Sequence, residues 1–141
     1  MKRGIERFLE AAAADTSPAE PRALRRRLKE LASLLRSAPP CPKGIPGRLL
    51  WREPDGTVAV ADVTRPLVVG RGEGCDLRLA ARRLSHRHFR VWPEAGSCWI
   101  EDLGSTNGTT INGNPLTGRQ QLRAGDLIAA GGIEVFFDTV R

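Results

Sequence analysis

Three short polar segments of the sequence combine a permanent cation with hydroxyl and amide groups. They contribute Arg71, then Ser85, then Thr106 and Asn107. The guanidinium of Arg71 can donate two parallel hydrogen bonds to a phosphate or carboxylate, and the hydroxyls of Ser85 and Thr106 add neutral donors. The amide of Asn107 both donates and accepts, which suits the backbone of an extended peptide. The pattern therefore predicts a phosphate site with a clamp for peptide main chain beside it.

Catalytic and metal-binding interpretations of the same region are weaker. His86 and His88 would share one face of a strand, but no carboxylate or cysteine has a spacing that completes a zinc site. Ser85, His88 and Asp102 supply the residue types of a catalytic triad, yet Ser85 lacks the G-x-S-x-G turn that exposes a nucleophile. We therefore expect no metal, no cofactor and no enzymatic activity.

The positive charge of the chain is unevenly distributed. Its net charge is +6; ten Lys or Arg and five Asp or Glu lie in residues 1–47, against twelve and eleven in residues 48–141. A nearly neutral domain with a local arginine cluster suits a discrete anion better than a long polyanion, so we expect no nucleic acid as the main partner. The Arg25-Arg26-Arg27 run is typical of a solvated helix face, with contact to nucleic acid or an anionic surface, or docking to an acidic partner, as alternatives. The local cluster comprises Arg71, Arg78, Arg82, Arg83, Arg87 and Arg90.

Short β-rich runs separated by turn residues follow one another from residue 48 onward. Strands at 8–12-residue spacing are typical of an all-β sandwich, and we expect about ten or eleven of them over residues 48–141. No β-α-β alternation is present, which excludes Rossmann and P-loop architectures. The predicted strands are Leu49–Arg52, Thr57–Asp62, Pro66–Val69, Asp76–Leu79, His88–Trp92, Cys98–Asp102, Thr109–Asn112, Gln120–Leu122, Leu127–Ala130 and Ile133–Thr139.

Residues 1–37 are predicted to form a short α-helical extension. Its first helix has an apolar stripe of Ile5, Phe8, Leu9 and Ala12, and its second, after a capping-box-like Ser17-Pro18-Ala19-Glu20, has one of Leu24, Leu28, Leu31 and Leu35. Two short helices cannot bury these stripes alone, so they must pack on each other, on the β domain or on another chain. The segment 38–47 holds four prolines and two glycines and is predicted to be a linker.

Several features indicate a cytoplasmic protein. No apolar run approaches the roughly 18 residues of a membrane span, and Glu6 and Glu10 interrupt what would be the apolar core of a signal peptide. An odd number of widely spaced cysteines argues for a reducing compartment. The alanine- and arginine-rich composition fits a GC-rich bacterial genome. The cysteines are Cys41, Cys75 and Cys98.

The order and spacing of the informative residues closely resemble those of a forkhead-associated (FHA) domain. The resemblance extends over about residues 48–140 and does not include residues 1–47. The residues that carry it are Gly70-Arg71, Asp76-Leu77-Arg78-Leu79, Leu84-Ser85-x-x-His88, Asp102-Leu103-Gly104-Ser105-Thr106-Asn107-Gly108-Thr109, Ile111-Asn112-Gly113, Leu122 and Gly125-Asp126-x-Ile128.

The resemblance implies a β-sandwich that binds phosphothreonine peptides on loops at one end. It implies that Arg71 and Ser85 contact the phosphate, that Thr106 supports the phosphate and the pocket for the threonine methyl group, and that Asn107 bonds the peptide backbone. It implies a structural role for His88, which would hold the Ser85 loop in shape. It also assigns backbone turns to Gly70, Gly108 and Gly113.

One position departs from the family pattern. The residue after the serine is usually arginine, but here it is His86. Histidine, unlike arginine, loses its charge around neutral pH, so the pocket lacks one permanent cation. Arg82, Arg83 and Arg87 are candidates to compensate, and Arg83 is placed to meet an acidic residue a few positions after the phosphothreonine.

The sequence thus predicts a non-enzymatic signalling module that binds a phosphothreonine-containing partner, such as a kinase substrate. The alternative is a phosphate-independent scaffold or oligomerisation subunit that self-associates through the N-terminal helices. Thr16, in the polar break between those helices, is a further hypothetical phosphorylation site for the protein's own or a neighbour's pocket.

Overall fold

The computed structural model describes residues 21–139, which form one helix and eleven strands. The helix α1 spans Pro21–Ser37. The strands are β1 Arg48–Arg52, β2 Val58–Asp62, β3 Leu67–Gly70, β4 Leu77–Arg78, β5 Phe89–Glu94, β6 Ser97–Asp102, β7 Thr109–Ile111, β8 Asn114–Pro115, β9 Arg119–Leu122, β10 Leu127–Ala130 and β11 Ile133–Asp138.

The strands form two sheets that face each other as a sandwich. One sheet has the order β2-β1-β11-β10-β7-β8 and the other β4-β3-β5-β6-β9. Neighbouring strands pair antiparallel except β3 and β4, which run parallel. Because β3 pairs antiparallel with β5, with Val69 opposite Phe89, the residues after Gly70 lie beside the loop that precedes β5.

Alternating side chains of the strands fill the space between the sheets. Leu49 on β1 and Phe137 on β11 point inward from the first sheet, and Phe89 and Ile100 on β5 and β6 point inward from the second. All four are buried, and full burial of such a side chain contributes about 1.5–3 kcal/mol to stability. This shared core fixes the distance between the sheets and hence the positions of the loops at their ends.

Helix α1 covers the outer face of the first sheet. Leu31 and Leu34 of the helix form a second buried cluster with Leu50 of β1 and Phe136 of β11. The first four residues of β1 are therefore buried on both faces, because one face meets the opposite sheet and the other meets the helix. The sequence left open whether the leucine stripe packs on another helix, on the β domain or on another chain. In the structure α1 packs on the following β domain.

The prediction of a mainly β sandwich with a preceding helix is confirmed. Each of the ten predicted strands has a counterpart whose ends differ by no more than two residues, and the strand that the sequence does not predict is β8. The first predicted helix, the Ser17–Glu20 motif and Thr16 lie outside the described residues. Among those described, no helix is both long and apolar enough to cross a membrane.

The segment 38–47 contains no helix or strand and lies against the sandwich. The carbonyl of Pro39 accepts a hydrogen bond from Arg48 Nη1 at 2.6 Å, and that of Pro46 accepts one from Thr139 Oγ1 at 2.9 Å. A side chain at Gly47 would meet the ring of Phe137 at 2.3 Å. The division of the chain at this segment stays a prediction, but the segment itself is tied to the β domain.

Candidate functional site

The β3–β4 loop lies directly along the β4–β5 loop. The backbone N–H of Arg71 donates to the carbonyl of Ser85 at 3.0 Å, and that of Gly72 donates to the carbonyl of His86, also at 3.0 Å. At Gly70 a Cβ would lie 2.2 Å from the carbonyl oxygen of His86. The two loops can approach this closely only because position 70 has no side chain.

The β6–β7 loop donates two hydrogen bonds to Arg83 and Ser85 of the β4–β5 loop. The backbone N–H of Thr106 donates to Ser85 Oγ at 3.1 Å, and Asn107 Nδ2 donates to the carbonyl of Arg83 at 2.8 Å. Because Ser85 Oγ is the acceptor in its bond, its own hydrogen remains able to donate to a ligand. The carbonyl oxygen of the Asn107 side chain is likewise left to accept from one.

His88 holds these loops from below. Its ring is fully buried, Nδ1 accepts the backbone N–H of Ser85 at 3.1 Å, and Nε2 lies 2.7 Å from the carbonyl of Gly108. Since Nδ1 is an acceptor and a carbonyl cannot donate, Nε2 carries the proton and the ring is neutral. Both ring nitrogens are occupied by backbone groups, so this geometry does not favour the triad interpretation in which His88 would activate the Ser85 hydroxyl.

Asp102 organises the β6–β7 loop through its carboxylate. Asp102 Oδ1 accepts the backbone N–H of Ser105 at 2.7 Å, while Oδ2 accepts the hydroxyls of Ser105 at 2.6 Å and Thr109 at 2.7 Å. Partial burial by itself raises the pKa of Asp102, but these hydrogen bonds outweigh that effect and leave its pKa below the usual value. The charged carboxylate is therefore the form that the folded loop prefers.

Arginines of the three loops and one of their histidines, His86, face solvent. Arg71, Arg83 and Arg87 are exposed, and none of them forms an ion pair with a carboxylate among residues 21–139. His86 is also exposed, and its Nδ1 would lie 3.2 Å from a Cβ at Gly72. This end of the sandwich thus presents cations and free donors to an incoming ligand.

The residues predicted for the site fall into one cluster with one exception. Gly113, with φ of +84°, forms the turn between β7 and β8 together with Asn112 at +53° and does not belong to the three loops. Gly108, with φ of +77°, lies at the end of the β6–β7 loop. Among the described residues, no group of three or more His, Cys, Asp or Glu side chains is arranged to hold a metal ion.

Three supporting contacts are missing from the prediction based on sequence. Asp102 and Ser105 have the three-residue spacing of a side chain that caps its own turn, and this spacing could have revealed their role. Arg78 Nε donates to the carbonyl of Arg71 at 3.1 Å, and Cys75 Sγ donates to the carbonyl of His86 at 2.8 Å. Neither of these two contacts has a sequence signal, because each joins segments that meet only in the folded protein.

Comparison with known proteins places the three loops inside one matched region. The family model described as FHA domain matches residues 67–131, which run from β3 to the turn between β10 and β11. The match includes all three loops and leaves out α1, β1, β2 and β11. The family signal therefore lies in the part of the chain that carries the candidate site.

Curated relatives match the same part of the chain. The chain is 37% identical over 68 residues to the FHA domain-containing protein FhaA of Mycobacterium tuberculosis and 35% identical over 66 residues to the FHA domain-containing protein FhaB of Mycolicibacterium smegmatis. These matches cover 48% and 45% of this chain, but only 13% and 43% of the two relatives. The chain thus matches less than half the length of either protein.

Solved structures match over almost their whole length. An FHA domain studied for phosphothreonine-dependent interactions superposes with a TM-score of 0.61 at 29% identity, covering 67% of this chain and 98% of that one. The FhaA FHA domain, solved in complex with the intracellular domain of another protein, superposes with a TM-score of 0.57 at 30% identity, covering 64% and 98%. The β-sandwich and its loop order are therefore shared with complete domains of known structure.

Proposed function

Because this chain belongs to the FHA domain family, we propose that its three loops bind a phosphothreonine-containing segment of a partner protein. FHA domains are recognition modules rather than enzymes. The observation that carries the proposal is that Arg71 and Ser85 start from hydrogen-bonded backbone positions on separate loops. A guanidinium and a hydroxyl whose backbone positions lie side by side can both bind one phosphate.

The phosphate is held by charge and by directed donors. Arg71 supplies two parallel N–H groups and a permanent positive charge, and Ser85 supplies the hydroxyl hydrogen that its bond with Thr106 leaves free. The backbone N–H of Thr106 bonds this hydroxyl, and we assign to the exposed side chain of Thr106 the wall against which the methyl group of phosphothreonine packs. This methyl contact is the basis on which the site prefers phosphothreonine to phosphoserine.

The peptide backbone is held by Asn107. Its amide nitrogen is already bonded to the carbonyl of Arg83, which orients the side chain and leaves its carbonyl oxygen to accept a peptide N–H. The guanidinium of Arg83 meets an acidic residue a few positions after the phosphothreonine. Arg87 adds positive charge in the loop where His86 replaces the family's usual arginine.

A calorimetric titration with matched phosphothreonine, phosphoserine and unmodified peptide libraries tests this proposal. Only the phosphorylated peptides should bind, with the phosphothreonine peptide binding most tightly. Arg71→Ala should weaken that binding by about 1.5–3 kcal/mol, the usual contribution of a hydrogen bond to a charged group, and leave the thermal unfolding midpoint unchanged.

Arg36→Ala is the matched control for this variant. It removes the same charge from an exposed position at the end of α1 and should leave phosphopeptide affinity unchanged. Equal affinity of wild type and Arg71→Ala for the phosphothreonine peptide would contradict the role of Arg71, and equal binding of unmodified peptide would contradict phosphate recognition.

We further propose that the binding occurs in the cytoplasm. Cys75 and Cys98 are both thiols in the structure, and burial raises the pKa of the Cys98 thiol to about 11. Free cysteines are typical of a reducing compartment, and burial makes the Cys98 thiol unreactive.

A further inference from the structure

A group of guanidiniums that includes Arg71 extends away from the proposed phosphate site. Arg71, Arg78 and Arg82 line a cleft of about 550 Å³ that is completed by Ala80 and Ala81. Alanine side chains are too short to fill the space between the arginines, and none of the lining residues is acidic. The cleft is therefore open to a ligand and uniformly positive.

The charge of this cleft is not neutralised by a neighbouring acidic group. Within residues 21–139, no carboxylate forms an ion pair with Arg71, Arg78 or Arg82. Asp76, the acidic residue nearest to Arg78 in the sequence, instead accepts a hydrogen bond from Arg65 at 2.7 Å and another from the backbone N–H of Val68 at 2.9 Å. Three like charges that share one cleft attract an anion from solution.

Hydrogen bonds fix the backbone around the arginines and the side chain of one of them, Arg78. Arg78 Nε donates to the carbonyl of Arg71 at 3.1 Å, so the side chain of Arg78 is tied to the backbone that carries Arg71. The turn that carries Arg82 is closed by bonds from the N–H of Ala81 to Leu79 and from the N–H of Leu84 to Ala81. A cationic cleft with a fixed backbone binds an anion at a lower entropic cost than a set of mobile side chains.

We propose that the cleft binds a second anionic side chain of the phosphothreonine ligand, either a carboxylate or a second phosphate. The inference rests on the proposed function and extends it. One phosphothreonine carries a charge of about −1.5 to −2, which is less than the three positive charges of the cleft. Arg83, the residue proposed to meet an acidic position after the phosphothreonine, does not line this cleft, so the two contacts are separate.

Calorimetric titration of the intact protein with a set of phosphothreonine peptides tests the second site. A peptide with neutral flanks is compared with peptides that carry Glu or phosphoserine at each of about four positions on either side of the phosphothreonine. At one or more of these positions, the acidic peptide should bind about fivefold more tightly than the neutral peptide. Two partly exposed ion pairs contribute enough binding energy for a change of this size. The Glu and phosphoserine series distinguish a carboxylate from a second phosphate.

Two variants locate the source of this preference. Arg82→Gln should abolish most of the ratio between acidic and neutral peptides; the ratio is taken within each variant, so any weaker binding of the phosphothreonine itself cancels. Arg87→Gln is the matched control, because Arg87 is an exposed arginine of the same loop that does not line the cleft, and it should preserve the ratio. Arg78→Lys, which keeps the positive charge, should retain part of the preference for the acidic peptide.

Each outcome separates this inference from the proposed function. If the neutral phosphothreonine peptide binds but no acidic flank improves binding, the second site is contradicted and the proposed function stands. If the preference survives in Arg82→Gln, or is lost equally in Arg87→Gln, it arises from the general charge of the loops and the cleft is not its source. If no phosphothreonine peptide binds, both proposals are wrong.

Discussion

Residues that lie behind the binding loops fix the shape of the site through their hydrogen bonds. Asp102 accepts three hydrogen bonds from Ser105 and Thr109, and Ser105 Oγ in turn accepts the backbone N–H of Gly108 at 2.9 Å. His88 bonds the carbonyl of that same glycine. Thr106 and Asn107 therefore lie in a loop that is fixed at both of its ends by buried or half-buried polar groups.

Asp102→Asn tests how much this network contributes to stability. An amide can accept on one atom only, so at least one of the three bonds to the carboxylate is lost, and the free energy of unfolding at pH 7 should fall by about 1–2 kcal/mol. The measurement is urea unfolding at a series of pH values, with phosphothreonine affinity measured in parallel.

The pH dependence of this difference has a definite sign. The folded-state pKa of Asp102 lies below its ordinary value of 3.8, so its stabilising contribution is fully present above about pH 5 and is lost as the pH falls through 3.8 and below. The gap between wild type and Asp102→Asn should narrow in that range. Asp62→Asn, at an exposed position of β2, should show no such gap, and a gap that grows toward low pH would contradict the assignment.

Residue-scale prediction from the sequence succeeds where a side chain has a recognisable motif. Arg71, Ser85, Thr106 and Asn107 belong to the family pattern, and the structure brings their loops together, while their contacts with a ligand stay predictions. The role of Arg78 could not be found in this way, because its partner, the carbonyl of Arg71, offers no side-chain signal.

At the scale of elements, the β4–β5 loop takes its position from the turn between β10 and β11. A Cβ at Gly131 would lie 2.6 Å from both the N and Cα atoms of Leu84 and 2.7 Å from the carbonyl carbon of Arg83. These are backbone atoms directly before Ser85, and they cannot rotate away as a flexible side chain could. The absence of a side chain at position 131 is therefore a condition for the shape of the site.

Gly131→Ala should accordingly impair binding as well as stability. The clash should cost about 1–3 kcal/mol of stability, the range for overpacked sites, and displace the Ser85 loop enough to weaken phosphothreonine binding. Gly132→Ala is a close control, since Gly132 also has a positive φ but a Cβ there would meet nothing within 4 Å; it should cost only about 1–2 kcal/mol of backbone strain. If the two variants lose affinity to the same degree at a temperature where both are folded, the contact with Leu84 does not shape the site.

The strands themselves are predictable because their apolar residues repeat with the period of a strand. The predicted Leu127–Ala130 has the observed bounds, and the other predicted strands differ only at their ends. β8 escapes prediction, because two exposed residues, one of them Pro115, carry neither an apolar repeat nor a strand propensity. This short strand exists through its pairing with β7, which local sequence does not encode.

At the scale of the molecule, the apolar stripe of α1 is used within the chain. Leu31 of the predicted stripe and Leu34, which the predicted stripe did not include, contact Leu50 and Phe136 of the first sheet, so this face of the helix is not available for self-association. Oligomerisation through the N-terminal helices stays a prediction, and it would require surfaces other than these two leucines. The sequence does not show which partner the stripe contacts, because the apolar outer face of β1 can be identified only once the fold is known.

The helix-covered face and the ligand-binding end of the molecule should behave independently. The cluster of Leu31, Leu34, Leu50 and Phe136 includes no residue of the three binding loops, so a cavity made there should lower stability without changing the site. Leu34→Ala should reduce the free energy of unfolding by about 2–4 kcal/mol and leave the Kd for a phosphothreonine peptide within about twofold of wild type.

Thermal unfolding and calorimetry on the same samples measure the stability and the affinity, with Arg36→Ala on the exposed face of α1 as the control for stability. A large loss of affinity in Leu34→Ala, at a temperature where the variant is fully folded, would mean that the helix transmits its position to the loops.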